Sequence, residues 1–242
     1  MRLRVAASQA RAKLQAAYDA AAQELITSGA GLTLASGQPT GAIGGLEKLG
    51  NQLRRIELIE RQLQPRAGYP PPLLLGFDVT GQRRLIVSWG NPDTADITVT
   101  SVSGLTSGLD AAHGDLQRSR ALWQQAMATS GDRSVASITW LGYDAPQLDP
   151  GLLDPEKSVA LDGAAAKGGA ALASFADGLH ATHEPSATAR SVVIGHSYGS
   201  LTSGHAAILR PGNFADDLIL VGSPGSAPTT PASSVSTRNT SG

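Results

Sequence analysis

The chain has 242 residues, of which 41% are hydrophobic and 16% charged, with a net charge of −1 at pH 7. That apolar content suffices for a sizeable core, and the balanced charge excludes a general attraction to nucleic acid or to a membrane surface. With no cysteine, disulfides, thiolate metal sites and cysteine nucleophiles are excluded.

Residues 1–66 carry nine Lys/Arg against five Asp/Glu, which reads as a mildly basic arm. Met1-Arg2-Leu3-Arg4 has no apolar run behind it, because Arg11, Lys13 and several glutamines interrupt. No signal peptide is read, and a cytoplasmic location is the default expectation. No apolar run approaches the ~20 residues needed to span a bilayer. Residues 1–27 are Ala-rich with loose helical spacing, and Gly29–Gly45 is a glycine-rich break. Leu46–Leu63 resumes helix, with Leu46, Leu49, Leu53, Ile56, Ile59 and Leu63 at i, i+3/i+4 spacing. Pro65 and Pro70-Pro71-Pro72 end it, so a domain boundary is placed there.

Beyond residue 72 the period changes. Leu73–Val79 and Arg83–Trp89 read as strands joined by Thr80-Gly81-Gln82, and this short connection predicts an antiparallel pair. Ile97–Ser103 is a third strand and Leu109–Thr129 a helix. Ser134–Tyr143 is a fourth strand, Ser158–His183 a second long helix and Ser191–His196 a fifth strand. A helix over roughly Tyr198–Arg210 precedes a sixth strand, Asp217–Gly222. Strands alternating with long helices predict crossover connections and a mostly parallel sheet. Ser226–Gly242 is rich in Ser, Thr and Pro with Val235 its only large apolar residue, and is expected to be disordered.

The chemistry-bearing motif is Gly195-His196-Ser197-Tyr198-Gly199 behind Ser191-Val192-Val193-Ile194. A β-branched strand feeding G-x-S-x-G and then a helix has the form of a nucleophile elbow, with the helix N-terminus aimed at the serine. An oxyanion hole there would take the Tyr198 amide and one from the loop after the third strand, Ser103-Gly104-Leu105-Thr106-Ser107-Gly108, with Leu105 and Thr106 as candidate donors. The plainer alternatives are a Gly-rich turn with an idle serine and an ordinary connection that uses Ser107 as a helix cap. Tyr143 and Asp144 follow the fourth strand and should face the same crevice as Ser197, where His196 also sits, making these three candidate substrate-binding residues. An Asx-turn before Pro146 is the alternative for Asp144. Asp93 and Asp96 pair two carboxylates, but the stretch Asn91–Asp96 reads better as a turn whose side chains bond their own backbone. No set has metal-ligand spacing, and Lys167-Gly168-Gly169 lies mid-helix without the rest of a phosphate loop. No metal or cofactor is expected.

The five histidines offer no well-placed base. His196 is beside the nucleophile and points away from its base position. His205 is eight residues along the elbow helix, roughly 12 Å at 1.5 Å per residue. His113 lies in the first helix of the α/β region, and His180 and His183 at the far edge of the sheet. Downstream of Ser197 the only acids are Asp216 and Asp217, both ahead of the sixth strand.

Five segments together resemble one family: Leu75-Gly76-Phe77-Asp78, Gly90-Asn91-Pro92-Asp93-Thr94-Ala95-Asp96, Trp140-Leu141-Gly142-Tyr143-Asp144-Ala145-Pro146, Gly195-His196-Ser197-Tyr198-Gly199 and Val221-Gly222-Ser223-Pro224-Gly225. They are similar to the actinobacterial α/β-hydrolase family long known as a domain of unknown function. The resemblance covers about residues 70–225. It implies a three-layer α/β-hydrolase fold with a mostly parallel sheet, and the α-helical region 1–66 resembles the helical N-terminal region that members commonly carry. It also implies a serine hydrolase of esterase, thioesterase or lipase type, with Ser197 as nucleophile and a small ester or acyl substrate. Family members continue past V-G-S-P-G with further strands that bring an acid and a late histidine. Here the Ser/Thr/Pro tail stands in their place, so the expectation is a C-terminally truncated chain with little turnover, or a non-catalytic binding module. The sixth strand would then leave an apolar sheet edge open to self-association.

Overall fold

The structure is a computed structural model that describes residues 41–78, 84–104, 112–144, 155–184 and 189–223, together with 12, 15–16, 18–24 and 26–27. The chain divides into two compact units, Met1–Gln62 and Leu63–Gly242. The expected disordered tail and the oxyanion-loop residues Leu105 and Thr106 lie outside the described residues.

In the first unit the described residues between 12 and 27 are helical, and α1 spans Gly41–Gln62. It begins five residues earlier than its apolar stripe predicts, inside the expected glycine break. Glycine costs about 1 kcal/mol per helical position, but extending an existing helix adds a hydrogen bond for each residue fixed. The stripe faces inward as expected: Leu53, Ile56 and Ile59 are buried, while Leu58 on the other side is exposed.

The second unit is built on six strands: β1 Pro72–Asp78, β2 Arg84–Trp89, β3 Ile97–Val102, β4 Val135–Leu141, β5 Arg190–His196 and β6 Asp217–Val221. Their spatial order is β1-β2-β4-β3-β5-β6. β2 runs antiparallel to both β1 and β4, while β3, β4, β5 and β6 are mutually parallel. The helices are α2 Ala112–Thr129, α3 Pro155–Thr182 and α4 Tyr198–Leu209. Residues 109–111, expected to begin α2, lie outside the described residues.

Two consecutive β4 residues show the layering. Thr139 points to one face, where its hydroxyl donates to the Asp115 carbonyl of α2 at 3.4 Å. Trp140 points to the other, into a core with Leu172, Ala173 and Ala176 of α3 and Ala206 of α4. Strand β4 is buried along its whole length, as expected of a central strand covered on both faces. This is the three-layer, mostly parallel arrangement of an α/β-hydrolase fold. At the far end of the order, β6 pairs with β5 alone among the described strands, and Ile219, Leu220 and Val221 are exposed.

The Asn91–Asp96 segment differs in part from expectation. Asn91 does bond its own turn, accepting the Asp93 amide at 3.2 Å. The two carboxylates instead reach across to other elements. Asp96 accepts from the Ser134 amide and hydroxyl at 2.9 and 2.7 Å, and Asp93 accepts from the Thr182 hydroxyl at 2.7 Å. They fasten the start of β3 to the start of β4 and to the end of α3, contacts that no local turn pattern encodes.

Candidate active site

β5 ends at His196 and α4 begins at Tyr198, so Ser197 alone makes the reversal. Its φ of 54° and ψ of −127° make it the one non-glycine residue with positive φ among the described residues. Such a conformation costs on the order of 1–3 kcal/mol and persists only where the surroundings over-determine it. They do so here. The Ser197 amide donates to the Val221 carbonyl at 2.8 Å, and the Ser200 amide donates to the Ser197 carbonyl at 2.9 Å. The Ser200 hydroxyl donates to the Gly195 carbonyl at 2.9 Å and reaches the Val221 carbonyl at 3.3 Å.

The glycines are required by space. A Cβ at Gly195 would lie 2.7 Å from the Gly199 carbonyl oxygen and 2.8 Å from the Ser200 Cα. One at Gly199 would overlap the Val102 carbonyl oxygen. One at Gly104 would sit 2.8 Å from the His196 carbonyl oxygen, 3.1 Å from the Ser197 Cβ and 3.3 Å from the Tyr198 nitrogen. The chain leaving β3 therefore runs in backbone contact with the elbow. This is the start of the loop in which Leu105 and Thr106 were expected as donors.

Ser197 is the N-terminal cap residue of α4 and makes no side-chain cap bond. Its hydroxyl is not spent on its own helix. Tyr198 is the first residue of α4, a position whose amide has no intrahelical acceptor and which sits at the positive end of the helix dipole. The Tyr198 ring is buried and stacks on Tyr143, centroids 6.3 Å apart, and Tyr143 stacks on Trp140 at 5.7 Å. The Tyr143 hydroxyl donates to the Ser103 carbonyl at 2.8 Å. Burial pushes the Tyr198 phenol up to about 12 and raises that of Tyr143 further, so both hydroxyls stay protonated.

Of the other expected site residues, His196 is exposed beside Ser197. Asp144 is half exposed and pairs with Arg84 at 3.5 Å, at the edge where β4 ends and β2 begins. Tyr143 is a core ring beneath the elbow, tied to the first residue after β3. The close backbone approach expected of the glycines after β3 is found at Gly104, whereas the Gly168–Gly169 pair of α3, set aside in the sequence as an incomplete phosphate loop, has a packing role that the sequence reading missed. A Cβ at Gly168 would press on the Tyr143 ring at 2.7 Å, and one at Gly169 would fall within 3.0 Å of the Ala206 amide of α4. Two adjacent glycines inside an Ala-rich helix are the signal for this close crossing.

His205, His183, His113, Asp216 and Asp217 are engaged elsewhere, and His180 stands exposed in the last turn of α3. His205 Nε2 lies 3.0 Å from the Asp162 carboxylate. The His183 ring sits between the carbonyls of Glu184 and Ala95, at 2.6 and 2.9 Å, at the start of β3. The His113 ring lies 2.9 Å from the Gln117 side chain. Asp216 accepts from the Ser191 amide and hydroxyl. Asp217 is clamped by Arg190 at 2.5 and 2.8 Å, and that guanidinium holds its carboxyl below the usual range. Both acids stand at the strand ends opposite Ser197. Among the described residues no three His, Asp or Glu side chains gather as a metal site, and no helix is long and apolar enough to cross a membrane.

An α/β-hydrolase sheet carrying a strained serine between strand and helix defines the class. A family model described as alpha/beta hydrolase matches residues 78–239, and the chain belongs to that family. It is similar to the uncharacterized protein Rv2079 of Mycobacterium tuberculosis, 37% identical over 162 residues, covering 64% of this chain and 23% of that protein. It is also similar to the uncharacterized protein Rv0963c of the same organism, 32% identical over 169 residues, covering 66% of this chain and 60% of that protein. The chain thus spans under a quarter of the first relative and three fifths of the second. Among solved structures, esterase Est22 aligns over 78% of this chain and 55% of its own, at 16% identity and a TM-score of 0.35.

Two outcomes follow from this geometry. Gly199→Ala drives a methyl group into the Val102 carbonyl and should destabilise the chain by about 1–3 kcal/mol, read as a lowered urea midpoint. The raised Tyr198 and Tyr143 values set an alkaline limit. An unfolded tyrosine titrates near 10, so between there and the folded value of about 12 for Tyr198 the unfolded state binds fewer protons. Stability contributed by the phenols is full below pH 10 and falls as pH rises through that window. Tyr198→Phe should flatten the fall, measured as urea midpoint against pH from 9 to 12.

Proposed function

We propose that the chain carries a serine-nucleophile site for carboxylic ester chemistry of the esterase, thioesterase or lipase type, acting on a small ester or acyl substrate. The observation that carries this reading is the backbone of Ser197, held at φ 54° between β5 and α4 with its side chain left out of the helix cap. Natural chains tolerate such a conformation where it presents a reactive group. Ser197 would attack the acyl carbon. The Tyr198 amide, with a donor from Leu105 or Thr106, would receive the developing oxyanion. His196 and Asp144 would border the substrate, and Tyr143 would fix the Ser103 end of the oxyanion loop from below.

The supply of a base is the weak point of the site. All five histidines are described residues, and Ser197 forms no hydrogen bond with any of them. A serine served by an oxyanion hole but no general base retains a residual ~10³–10⁴-fold advantage over water, while loss of the base costs on the order of 10⁶ in kcat. We therefore expect slow, stoichiometric chemistry with little turnover. A fluorophosphonate probe should label the folded chain slowly and should fail on Ser197→Ala. Brisk p-nitrophenyl butyrate hydrolysis abolished by Ser197→Ala would sink the missing-base claim. Labelling equal in both proteins would remove Ser197 as nucleophile and favour the second reading, a non-catalytic binding module. The engagement of His205, His183, Asp216 and Asp217 in structural contacts favours that second reading.

The partner reading includes self-association along β6. Among the described residues its outer edge pairs with no other strand and is flanked by exposed Ile219, Leu220 and Val221, an arrangement that templates strand pairing. The sedimentation coefficient should rise with concentration, and Ile219→Lys with Val221→Lys should hold the chain monomeric. A wild-type value independent of concentration would count against the pairing.

A further inference from the structure

We propose that the chain has a second binding site, separate from Ser197, for a neutral amphipathic small molecule: an apolar body bearing one hydroxyl or carbonyl group. A cavity of about 510 Å³ lies between α3 and the sheet at the starting ends of β3 and β5. That volume falls within the ~300–1,000 Å³ of typical small-ligand sites. Val193, its nearest β5 core residue to the elbow, is four residues before Ser197, about 13 Å at 3.3 Å per residue.

The walls set the chemistry. Leu172, Phe175, Ala176 and Leu179 fall at i, i+3, i+4 and i+7 and give the cavity one apolar face of α3. Val193 and Phe214 supply the opposing apolar surface. Into this apolar space open two strand hydroxyls. Thr98 and Thr100 line the cavity and are 8% and 4% exposed. Neither hydroxyl has a hydrogen-bond partner among the described residues. The cavity is open to solvent, so water satisfies these hydroxyls when nothing else is bound. A ligand hydroxyl or carbonyl set in an apolar body would take the place of that water at Thr100 while covering the apolar walls.

The rim carries the exposed His180 imidazole and the Glu184 carboxylate together, which selects no charged head. Arg190 is committed to Asp217 through two hydrogen bonds, Asp216 to Ser191, and the His183 ring to two carbonyls. Binding here does not involve Ser197, so this site stands or falls apart from the hydrolase reading.

The test is isothermal titration of the full chain with 1-decanol and with decanoate. We expect saturable one-to-one binding of 1-decanol, with decanoate at least about tenfold weaker. Thr100→Val keeps the shape and removes the hydroxyl, and should weaken 1-decanol roughly three- to tenfold, the worth of one hydrogen bond. Ala176→Phe should fill the cavity and abolish binding, while Ser197→Ala should bind as the wild type does. No saturable binding of 1-decanol by the folded chain overturns the proposal. Equal affinity for decanoate overturns the neutral class, and unchanged affinity in Thr100→Val overturns the assigned contact, a reading that survives even if Ala176→Phe does not fold.

Discussion

The reversal at Ser197 is the constraint on which the second unit depends. A single residue must turn the chain from strand to helix at φ 54°, and it is held there by atoms from three other places. Val221 at the end of β6 accepts the Ser197 amide. Val102 and Gly104 at the end of β3 press against Gly199 and Ser197. Ser200, one turn into α4, ties back to Gly195. Each requires its strand to be in register, so the β3–β5 and β5–β6 pairings are conditions for the elbow as much as for the sheet. The cost of the serine's backbone is offset by a sheet that cannot place those carbonyls anywhere else.

Below the elbow the same demand continues as close packing. α4 leaves the strand ends at a fixed angle and must cross α3 closely, which Gly168 and Gly169 permit. The rings of Tyr198, Tyr143 and Trp140 stack into the space beneath. The Tyr143 hydroxyl then donates to the Ser103 carbonyl and fixes the backbone just ahead of Gly104, which lies against the elbow. Burial this complete keeps both phenols protonated, so they act as hydrogen-bonding struts and not as bases. The two ends of the sheet are consequently specialised. The starting ends carry the ionic and polar fastenings, Arg190 with Asp217, Asp216 with Ser191, Asp96 with Ser134 and Asp93 with Thr182. The finishing ends carry the strained serine.

Much of this was legible in the chain because it is locally encoded. The order of strands and helices followed from changes of hydrophobic period, and the antiparallel β1–β2 pair followed from the short connection between them. The stripe through Leu53, Ile56 and Ile59 faced inward as its spacing required. What was illegible arises between segments distant in sequence. Asp93 and Asp96 looked like turn residues because their neighbours are Asn91, Pro92 and Thr94, yet their partners are 89 and 38 residues away. Tyr143 was expected in a crevice because it follows a strand; it lines a cavity with Arg84 and Asp144, and its burial in the core beneath the elbow is the part the strand pattern did not show. The start of α1 was misplaced because glycine content was weighed locally, while the helix is set by the stripe that follows.

The glycines show where that boundary falls. Gly195 and Gly199 belong to a five-residue pattern because their clashes are with each other's turn and with the strand next door, so the elbow is written within one stretch of chain. Gly104 meets the same elbow from more than ninety residues away, and Gly168 and Gly169 meet α4 across a helix crossing. None of these five has positive φ; they are glycine because a side chain would occupy another backbone's place. Ser197 is the converse case. It keeps its side chain and accepts the backbone conformation that glycine would adopt freely. Glycine at 197 would relieve the strain and remove the hydroxyl together, so the strained backbone is a ground for the proposal that Ser197 acts through its side chain.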